Sequence, residues 1–303
     1  ENPVTTTIST VQRMEVIARG EEMTALHDGV RGKDKLDTGA KFVVYYMGNN
    51  VNQTNDVGFT IETLSDESKA EYIVCCDIVM TPTCKYADLL IPDTTYMEKD
   101  RYVCLLTAGA FEGVIFGQPV QEPQFECRNA YDFLADVAET FGKREEYTEG
   151  RSWKEWQEYI YEQARETRSD LPTLEEGLKM GLWKQEIPDY PPAMASFFED
   201  PEANPLMTPS GKIEIYSPRL QEYAETWELD DPRESINPLP VYTPGVESWE
   251  DVTEEYPLVL TGWHPKQRSH STYGGVEILN DAVVQQLWIN PIDANERRIA
   301  NGD

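Results

Sequence analysis

The chain has 303 residues, of which 55 are Asp or Glu and 26 are Lys or Arg, so its formal net charge is -29 at pH 7. This excess of negative charge argues against nucleic acid or an anionic membrane surface as the main partner. Hydrophobic residues make up 40% of the chain, which is enough for a sizeable core and excludes a disordered protein. No apolar run approaches the roughly 20 residues that a membrane span requires.

The cysteines of the chain do not form a recognisable ligand or disulfide set. They are Cys75, Cys76, Cys84, Cys104 and Cys127, and no two of them have the C-x-x-C spacing. An odd number without that spacing argues against a disulfide framework, a zinc site and an iron–sulfur cluster. Cys75 and Cys76 lie in an apolar run, so we expect both to be small core residues.

Both ends of the chain resemble internal positions of a longer protein. The chain begins at Glu1 without a signal peptide, and it ends at Asp303 directly after "WINPIDANERRIANG", where a turn should lead into a strand. We therefore expect the chain to be a fragment.

The first half of the chain predicts alternating strands and helices. A weak helical pattern covers 11–19, and the apolar run "KFVVYY" then predicts a fully buried strand that ends before Gly48. A helix beginning near Asn55 or Asp56 follows, and "AEYIVCCD" predicts a second buried strand ending at Asp77. The short connection "MTPTCKYA" leads to a third strand in "DLLIPDTT". This order predicts an α/β fold, a doubly wound, Rossmann-like, mostly parallel sheet with flanking helices.

The second half is less regular. Amphipathic helices are predicted from Asn129 to Gly142 and from Ser152 onward, followed by an extended, packed, Pro-rich connection over 182–211. Beyond it, "GKIEIYS" predicts a strand, "SPRLQEYAETW" a helix and "YPLVLTG" a further buried strand. The predicted domains are a partial Rossmann-like cofactor-binding domain at 1–150, a helical and extended connecting region at 151–248, and a separate C-terminal unit at 249–303.

Polar residues follow each of the three predicted parallel strands. Ligands of open parallel sheets bind beyond the carboxyl ends of the strands, and amide, hydroxyl and carboxylate groups there suit a purine edge and sugar hydroxyls. The alternative is that these residues only cap helices and turns. The absence of G-x-G-x-x-G makes an ordinary NAD-binding site a weak interpretation. The candidate residues are Gly48, Asn49, Asn50, Asn52, Gln53, Asp77, Thr81, Asp93, Thr94 and Thr95.

A basic turn, "LTGWHPKQRSHSTYGG" at 260–275, stands out in this acidic chain. Cations and hydroxyl donors in one turn suit an anion such as a pyrophosphate. The alternatives are a surface cluster that counters the acidic field, or a metal site at His264 and His270, which lacks a third ligand. The candidate residues of the turn are His264, Lys266, Arg268, His270, Ser271 and Thr272.

Several strings together resemble the molybdopterin oxidoreductases of the dimethyl sulfoxide reductase family. "DIVMTPTCKYADLLIPDTTYMEKD" is similar to that family's D-x-x-x-T-x-T-x-x-x-A-D-x-x-L-P-x-T-T-x-x-E signature, with Ile91 at the leucine. "GNNVNQTND" resembles its G-x-N-P-x-x-Q loop, and "NPLMTPSGKIEIYS" its P-L-x-T-P-S-G-K-I-E segment. "GWHPKQRSHSTYGG" resembles the start of its C-terminal cofactor-capping domain, and the matches run in order from about Gly48 to Asp303.

The resemblance implies a bis(molybdopterin guanine dinucleotide) cofactor that holds molybdenum or tungsten. It places Gly48, Asn49 and Gln53 along one dinucleotide, with Asn50 in the same loop. It places Asp77, Asp93 and Thr81 near the guanosine end. It also implies that 249–303 is the truncated start of a dinucleotide-binding β-barrel domain. The residues of that unit that would face pterin and phosphates are His264, Arg268, His270, Ser271 and Thr272.

The chain departs from the family pattern at three positions. Asn50 replaces the loop proline, Asp93 replaces a small residue, and Ala130 replaces an acidic guanosine contact of some members. The resemblance also implies that the metal-ligating side chain and any iron–sulfur cluster lie upstream, so we expect no catalytic residue in this fragment and no activity of the fragment alone.

For the parent protein, the resemblance implies two-electron chemistry on a small substrate such as an S-oxide, an N-oxide or a hydroxylated compound. It also implies an iron–sulfur electron-transfer subunit and a membrane anchor as partners. It further implies export directed by an upstream twin-arginine signal. Two other hypotheses compete with it. One is a cofactor-free structural relative in a respiratory complex, and the other is a nucleotide-dependent enzyme of ordinary Rossmann type.

Overall fold

The computed structural model of the protein describes residues 4–99, 101–105, 111–186, 192–245, 248–266, 269, 272–284 and 286–303. Its strands are β1 (Phe42–Tyr46), β2 (Tyr72–Asp77), β3 (Leu89–Pro92), β4 (Arg101–Leu105), β5 (Phe111–Gly117) and β6 (Leu182–Glu186). Its α-helices are α1 (Arg13–Arg19), α2 (Asn50–Gln53), α3 (Val57–Ser65), α4 (Ala130–Thr140), α5 (Arg144–Thr148), α6 (Trp153–Thr167), α7 (Leu174–Met180), α8 (Ala195–Glu199), α9 (Pro218–Thr226), α10 (Glu277–Ala282) and α11 (Pro291–Glu296). Short 3₁₀ turns occupy Thr10–Gln12, Gly20–Glu22 and Thr83–Tyr86.

The three predicted parallel strands form one sheet in the order β1-β2-β3. Tyr46 of β1 lies opposite Cys76 of β2, and Asp77 of β2 lies opposite Pro92 of β3, with both pairings parallel. All three carboxyl ends therefore reach the same edge of the sheet, which we call the carboxyl edge. The predicted α/β fold with a parallel sheet and flanking helices is confirmed.

Helices cover both faces of this sheet. On one face, Ile73 and Cys75 of β2 pack in a core cluster with Met14 and Ile17 of α1 and Leu64 of α3. On the other face, a second cluster beneath α4 joins Val74, Cys76, Ile91 and Ala130. Burial of Cys75 and Cys76, at 2% and 5% exposure, confirms their prediction as core residues.

Strand β1 differs from its prediction as a fully buried strand. It lies at the edge of the described sheet, and α4 packs on β2 and β3 rather than over it. Phe42, Val44 and Tyr46 on the α4 side are 63%, 56% and 54% exposed. The apolar run correctly predicted a strand, but a run of this kind does not reveal whether other elements cover both faces of the strand.

An antiparallel sheet of β4, β5 and β6 was not predicted. It joins strands from both sides of the predicted domain boundary at residue 150, and that boundary stays a prediction. Phe116 of β5 lies edge-on to Tyr161 of α6, with the ring centroids 5.3 Å apart. Gly177 of α7 is closely packed on the same ring, because a Cβ at this position would lie 2.3 Å from Phe116.

The C-terminal third contains two wrong strand predictions. The segments 211–217 and 256–262 form no strand, and Ile213, Ile215 and Leu260 are 56%, 70% and 86% exposed. Alternating or continuous apolar residues form a strand only where another strand accepts their backbone hydrogen bonds. The helix predicted for "SPRLQEYAETW" is confirmed as α9, whereas the described residues of 249–303, the predicted start of the barrel, contain only the helices α10 and α11.

Two features are absent from the described residues. No helix there is both long enough and apolar enough to span a membrane. No group of three or more His, Cys, Asp or Glu side chains among them is arranged to hold a metal ion.

Candidate functional site

The loop after β1 begins with a backbone conformation that is unusual for its residue type. Met47 has a φ of 51°, in the left-handed region that non-glycine residues rarely adopt, and its N–H donates to the carbonyl of Cys76 at 2.9 Å. Gly48 follows, and a Cβ there would meet only Tyr45, at an ordinary contact distance of 3.5 Å. The protein's own packing therefore does not require a glycine at position 48.

The loops after β1 and β2 are joined through Thr83. Its hydroxyl donates to Oδ1 of Asn49 at 3.2 Å and accepts from the N–H of Val51 at 3.0 Å, and Thr83 is fully buried. The bond fixes the oxygen of the Asn49 amide, which leaves its Nδ2–H donors as the part that can face a ligand. Sequence reasoning missed Thr83, although its place two residues after Thr81 was a signal for it.

The other predicted residues of the first loop differ in exposure. Asn50, the first residue of α2, is only 4% exposed, and its carbonyl accepts from the N–H and hydroxyl of Thr54. Gln53, the last residue of α2, is exposed. The geometry thus separates a buried Asn50 from Asn49 and Gln53, which lie nearer the surface of the carboxyl edge.

Asp77 and Thr81 follow β2. The half-buried Asp77 accepts from the N–H of Ile78 at 2.7 Å through Oδ1, and its carbonyl accepts from the N–H of Asp93 at 3.1 Å. The Thr81 hydroxyl donates to Sγ of Cys84 at 3.1 Å and accepts from its N–H at 3.3 Å. Thr81 therefore stabilises the 3₁₀ turn, the role expected of a residue that caps a turn. Asp77 presents its carboxylate at the end of β2.

Asp93 is an internal hub at the end of β3. It is 1% exposed, and its carboxylate accepts from the Tyr46 hydroxyl at 3.1 Å and the Thr94 N–H at 2.7 Å. Nζ of Lys99 lies 3.3 Å from Oδ2, and the Ala130 N–H at the start of α4 lies 3.3 Å from Oδ1. A contact between Asp93 and a guanosine stays a prediction, and it would require these donors to be exchanged.

Burial and negative charge shape the acidity of groups beside Asp93. Although the Tyr46 side chain is partly exposed, desolvation of its hydroxyl and the nearby Asp93 carboxylate raise its pKa to about 12, so the hydroxyl keeps its proton and remains a donor. Burial raises the pKa of the Cys76 thiol to about 11, and Asp93 and Asp77 add to that effect. Near neutral pH, Tyr46 is therefore a neutral donor and Cys76 remains a thiol.

A cavity of about 390 Å³ opens beside Thr94 and Lys99. Asn129 lies in its wall and caps α4 by accepting from the N–H of Tyr131 at 3.0 Å. Arg128 and Lys154 also line the cavity, so it carries three cations together with Lys99. Sequence reasoning missed these cations, since only the fold brings 128 and 154 next to the segment after β3.

The basic turn is described only in part. His264, Lys266 and Thr272 are exposed, and the Thr272 N–H donates to the carbonyl of Ser269 at 2.9 Å. The predicted contacts at Arg268, His270 and Ser271 lie outside the described residues. Convergence of this turn with the carboxyl edge therefore stays a prediction.

The chain is similar to known proteins along its whole length. The profile of the family described as molybdopterin oxidoreductase matches residues 4–140. Dimethyl sulfoxide reductase DmsA of Escherichia coli strain K12 is 48% identical over 306 residues, which cover 100% of this chain and 38% of that protein. Dimethyl sulfoxide/trimethylamine N-oxide reductase of Rhodobacter capsulatus is 31% identical over 251 residues, covering 78% of this chain and 29% of that protein.

A solved structure shares the fold. Acetylene hydratase from Pelobacter acetylenicus superposes with a TM-score of 0.63 at 22% sequence identity, over 96% of this chain and 34% of that protein. The chain spans 38% of the length of the E. coli relative, so it corresponds to a part of such a protein.

Proposed function

The chain belongs to the molybdopterin oxidoreductase family, and we propose that it forms part of the cradle for a molybdopterin guanine dinucleotide in the catalytic subunit of an S-oxide or N-oxide reductase. The substrate class rests on the names of relatives that reduce dimethyl sulfoxide and trimethylamine N-oxide. The parent protein is then an oxidoreductase of anaerobic respiration, and this chain contributes binding rather than catalysis.

One observation carries the proposal: the three parallel strands deliver polar groups to a single edge beside a glycine that the protein itself does not need. Gly48 meets only Tyr45 at an ordinary distance, so the space above its backbone is open for a ligand. Asn49 and Asp77 present amide donors and a carboxylate at the same edge, which suit sugar hydroxyls and a guanine N1–H and N2–H pair. This donor set fits a dinucleotide.

Within the cradle, the residues have different roles. Gly48, Asn49 and Gln53 lie along one dinucleotide, and Asp77 accepts from its guanosine end with Thr81 alongside. Asp93 and the buried Asn50 support these loops from within. From the C-terminal unit, the side chains that approach pterin and phosphates are those of His264, Arg268, His270, Ser271 and Thr272.

When bound, the bis(molybdopterin guanine dinucleotide) supplies a molybdenum or tungsten centre that exchanges two electrons with the substrate, and the protein supplies binding and electrostatics. The side chains of this chain hold and orient the dinucleotide, and the apolar packing beneath the carboxyl edge keeps that edge rigid. The metal ligand, any iron–sulfur cluster and the electron-transfer partners belong to other parts of the assembly.

The proposal is tested by cofactor content rather than by turnover. In the full-length protein that carries this chain, Gly48→Ala should lower the molybdenum bound per protein and the GMP released on acid hydrolysis, because its methyl group enters the space for the ligand. Asp77→Ala should lower both quantities as well. Gly58→Ala is the matched control, since its Cβ would meet only Asp56 at 3.5 Å.

With the cofactor removed from every protein, both glycine variants should unfold at or above the temperature of the cofactor-free wild type, which separates a lost ligand from a lost fold. Wild-type molybdenum and GMP content in both Gly48→Ala and Asp77→Ala would contradict the cradle. A full-length wild-type protein that contains neither molybdenum nor pterin would favour the alternative, a cofactor-free structural relative in a respiratory complex.

A further inference from the structure

A cluster of charged side chains joins the loop after α1 to the segment that follows α9. Asp28, whose side chain is 1% exposed, accepts from Nη2 of Arg19 at 2.6 Å and from the Thr24 N–H at 2.8 Å. The ring of His27 lies between two carboxylates. Its Nδ1 is 3.2 Å from Oδ1 of Asp28, and its Nε2 is 2.8 Å from Oδ1 of Asp230.

This geometry selects one protonation state of the imidazole. A neutral ring carries a proton on only one nitrogen, so one of the two carboxylates would face a lone pair. The imidazolium carries a proton on both nitrogens and satisfies Asp28 and Asp230 together. The hydrogen bonds with Asp230 and then with Asp28 raise the pKa of His27 above its ordinary value of 6.5.

Two further contacts hold the same pair of segments together. The N–H of Glu228 donates to the carbonyl of Leu26 at 3.0 Å. The indole of Trp227 packs on Gly29, where a Cβ would lie 3.1 Å from the ring, and Gly29 has a φ of 67°. Neither contact changes protonation near neutral pH, so His27 is the member of this contact that responds to pH.

A cavity of about 440 Å³ is lined by both segments and by residues of the stretch 7–12. Tyr223, the ring neighbour of Trp227 at 4.8 Å, lines it together with His27. Any movement of the segment after α9 therefore changes this cavity. The charged and titratable groups that face His27 or share its cavity are Asp28, Arg19, Arg31, Tyr223 and Asp230.

We propose that His27 and Asp230 form a pH-dependent clasp, which holds residues 227–231 against residues 24–29 while the imidazole is protonated and releases them when it is neutral. The bound state of the clasp is the state with the higher histidine pKa. The stabilisation that the clasp gives to the contact between the two segments is therefore complete below the ordinary pKa of 6.5. It is lost as the pH rises through the raised pKa of His27. Release at alkaline pH leaves the Glu228 hydrogen bond and the packing of Trp227 in place.

Hydrogen exchange of the purified chain tests the clasp. Protection factors for a peptide covering 226–231 are measured at about pH 6 and about pH 8.5, on either side of the expected transition. Asp230→Asn is the main variant, because the Asp230 side chain is 84% exposed and its loss does not disturb a core. His27→Gln is the second variant. Lys33→Gln is the matched control, since it breaks the nearby Lys33–Asp37 ion pair without touching His27.

In the wild type and in Lys33→Gln, protection should fall roughly two- to fivefold between the lower and the higher pH, the range expected for one partly exposed ion pair. In His27→Gln and Asp230→Asn, protection should be low at both pH values and should lose this fall. Equal wild-type protection at both pH values would overturn the proposal. So would an undiminished fall in His27→Gln, because another group would then be the sensor.

Discussion

Asp93 shows how a single side chain can organise the carboxyl edge from within the protein. Its carboxylate collects donors from β1, from Lys99 and from the start of α4, so three separate parts of the chain are held at one point. The carboxylate is fully buried and the Lys99 side chain is 11% exposed. Buried ion pairs of this kind are sensitive to the removal of one partner, since the remaining charge stays buried without compensation.

Replacing Asp93 by Asn should therefore destabilise the protein more than removing an exposed carboxylate would. The amide keeps the shape of the side chain but leaves Lys99 without its counter-ion, for which we expect a loss of about 3–5 kcal/mol in the free energy of unfolding. Urea denaturation measures this loss. The double variant Asp93→Asn with Lys99→Met should recover part of it, because the buried charge is removed as well.

An exposed carboxylate provides the comparison. Asp136 pairs with Arg128 and Arg144 on the surface, and Asp136→Asn should change the unfolding free energy far less than Asp93→Asn does. Equal effects of the two substitutions would show that Asp93 is not the hub that its contacts indicate.

At the scale of elements, the close packing of α7 on β5 holds the second sheet against the helices. Gly177 lies where a Cβ would come within 2.3 Å of the Phe116 ring, which is itself 3% exposed. The ring of Phe116 is also set edge-on against Tyr161, so it has little room to move. A glycine inside a short helix is unfavourable by itself. The close contact with the Phe116 ring explains why a glycine is present at position 177.

Gly177→Ala should destabilise the protein although alanine is the better helix former. Overpacking of a core costs about 1–3 kcal/mol, whereas the gain in helix propensity is at most about 1 kcal/mol. Chemical denaturation should therefore show a lower unfolding free energy for Gly177→Ala and an unchanged or higher one for Gly58→Ala on α3. If both variants gained stability, α7 would not be seated on Phe116.

The elements also show what the sequence could and could not reveal. The parallel strands were predictable because buried strands of a parallel sheet are continuous apolar runs, and the carboxyl-edge residues followed from the rule for ligands of such sheets. Lys99 and Tyr46 were not predictable, because their importance depends on which segments meet in space. The strands predicted at 211–217 and 256–262 failed for a related reason, since a pattern describes a face and does not supply a pairing partner.

At the scale of the whole molecule, burial is unevenly distributed along the chain. The buried residues lie at positions up to Phe197, and none of the described residues after it is buried. Large apolar side chains in that later part, including Trp249, Leu260 and Trp288, are 67%, 86% and 76% exposed. Exposed apolar surface of this extent is typical of a segment that packs against another part of an assembly.

This difference predicts where a protease cuts first. Under native conditions trypsin should cleave the purified chain at Lys212 and Arg233 before it cleaves at Arg19 or Arg165, because sites in segments with little burial open with a low free energy. Arg19 and Arg165 lie on α1 and α6, which pack against the core clusters. Mass spectrometry of a time course identifies the order of the cuts.

The full-length protein that carries this chain is the matched comparison, because it offers the remaining part of the fold as a surface for those apolar side chains. Cleavage at Lys212 and Arg233 should be slower there than in the isolated chain, while cleavage at Arg19 and Arg165 should change little. Equal cleavage rates at Lys212 in both proteins would mean that nothing covers this region, and the exposed Trp249 and Trp288 would then need another partner. The two digestions thus distinguish a segment that depends on its own protein from one that docks elsewhere.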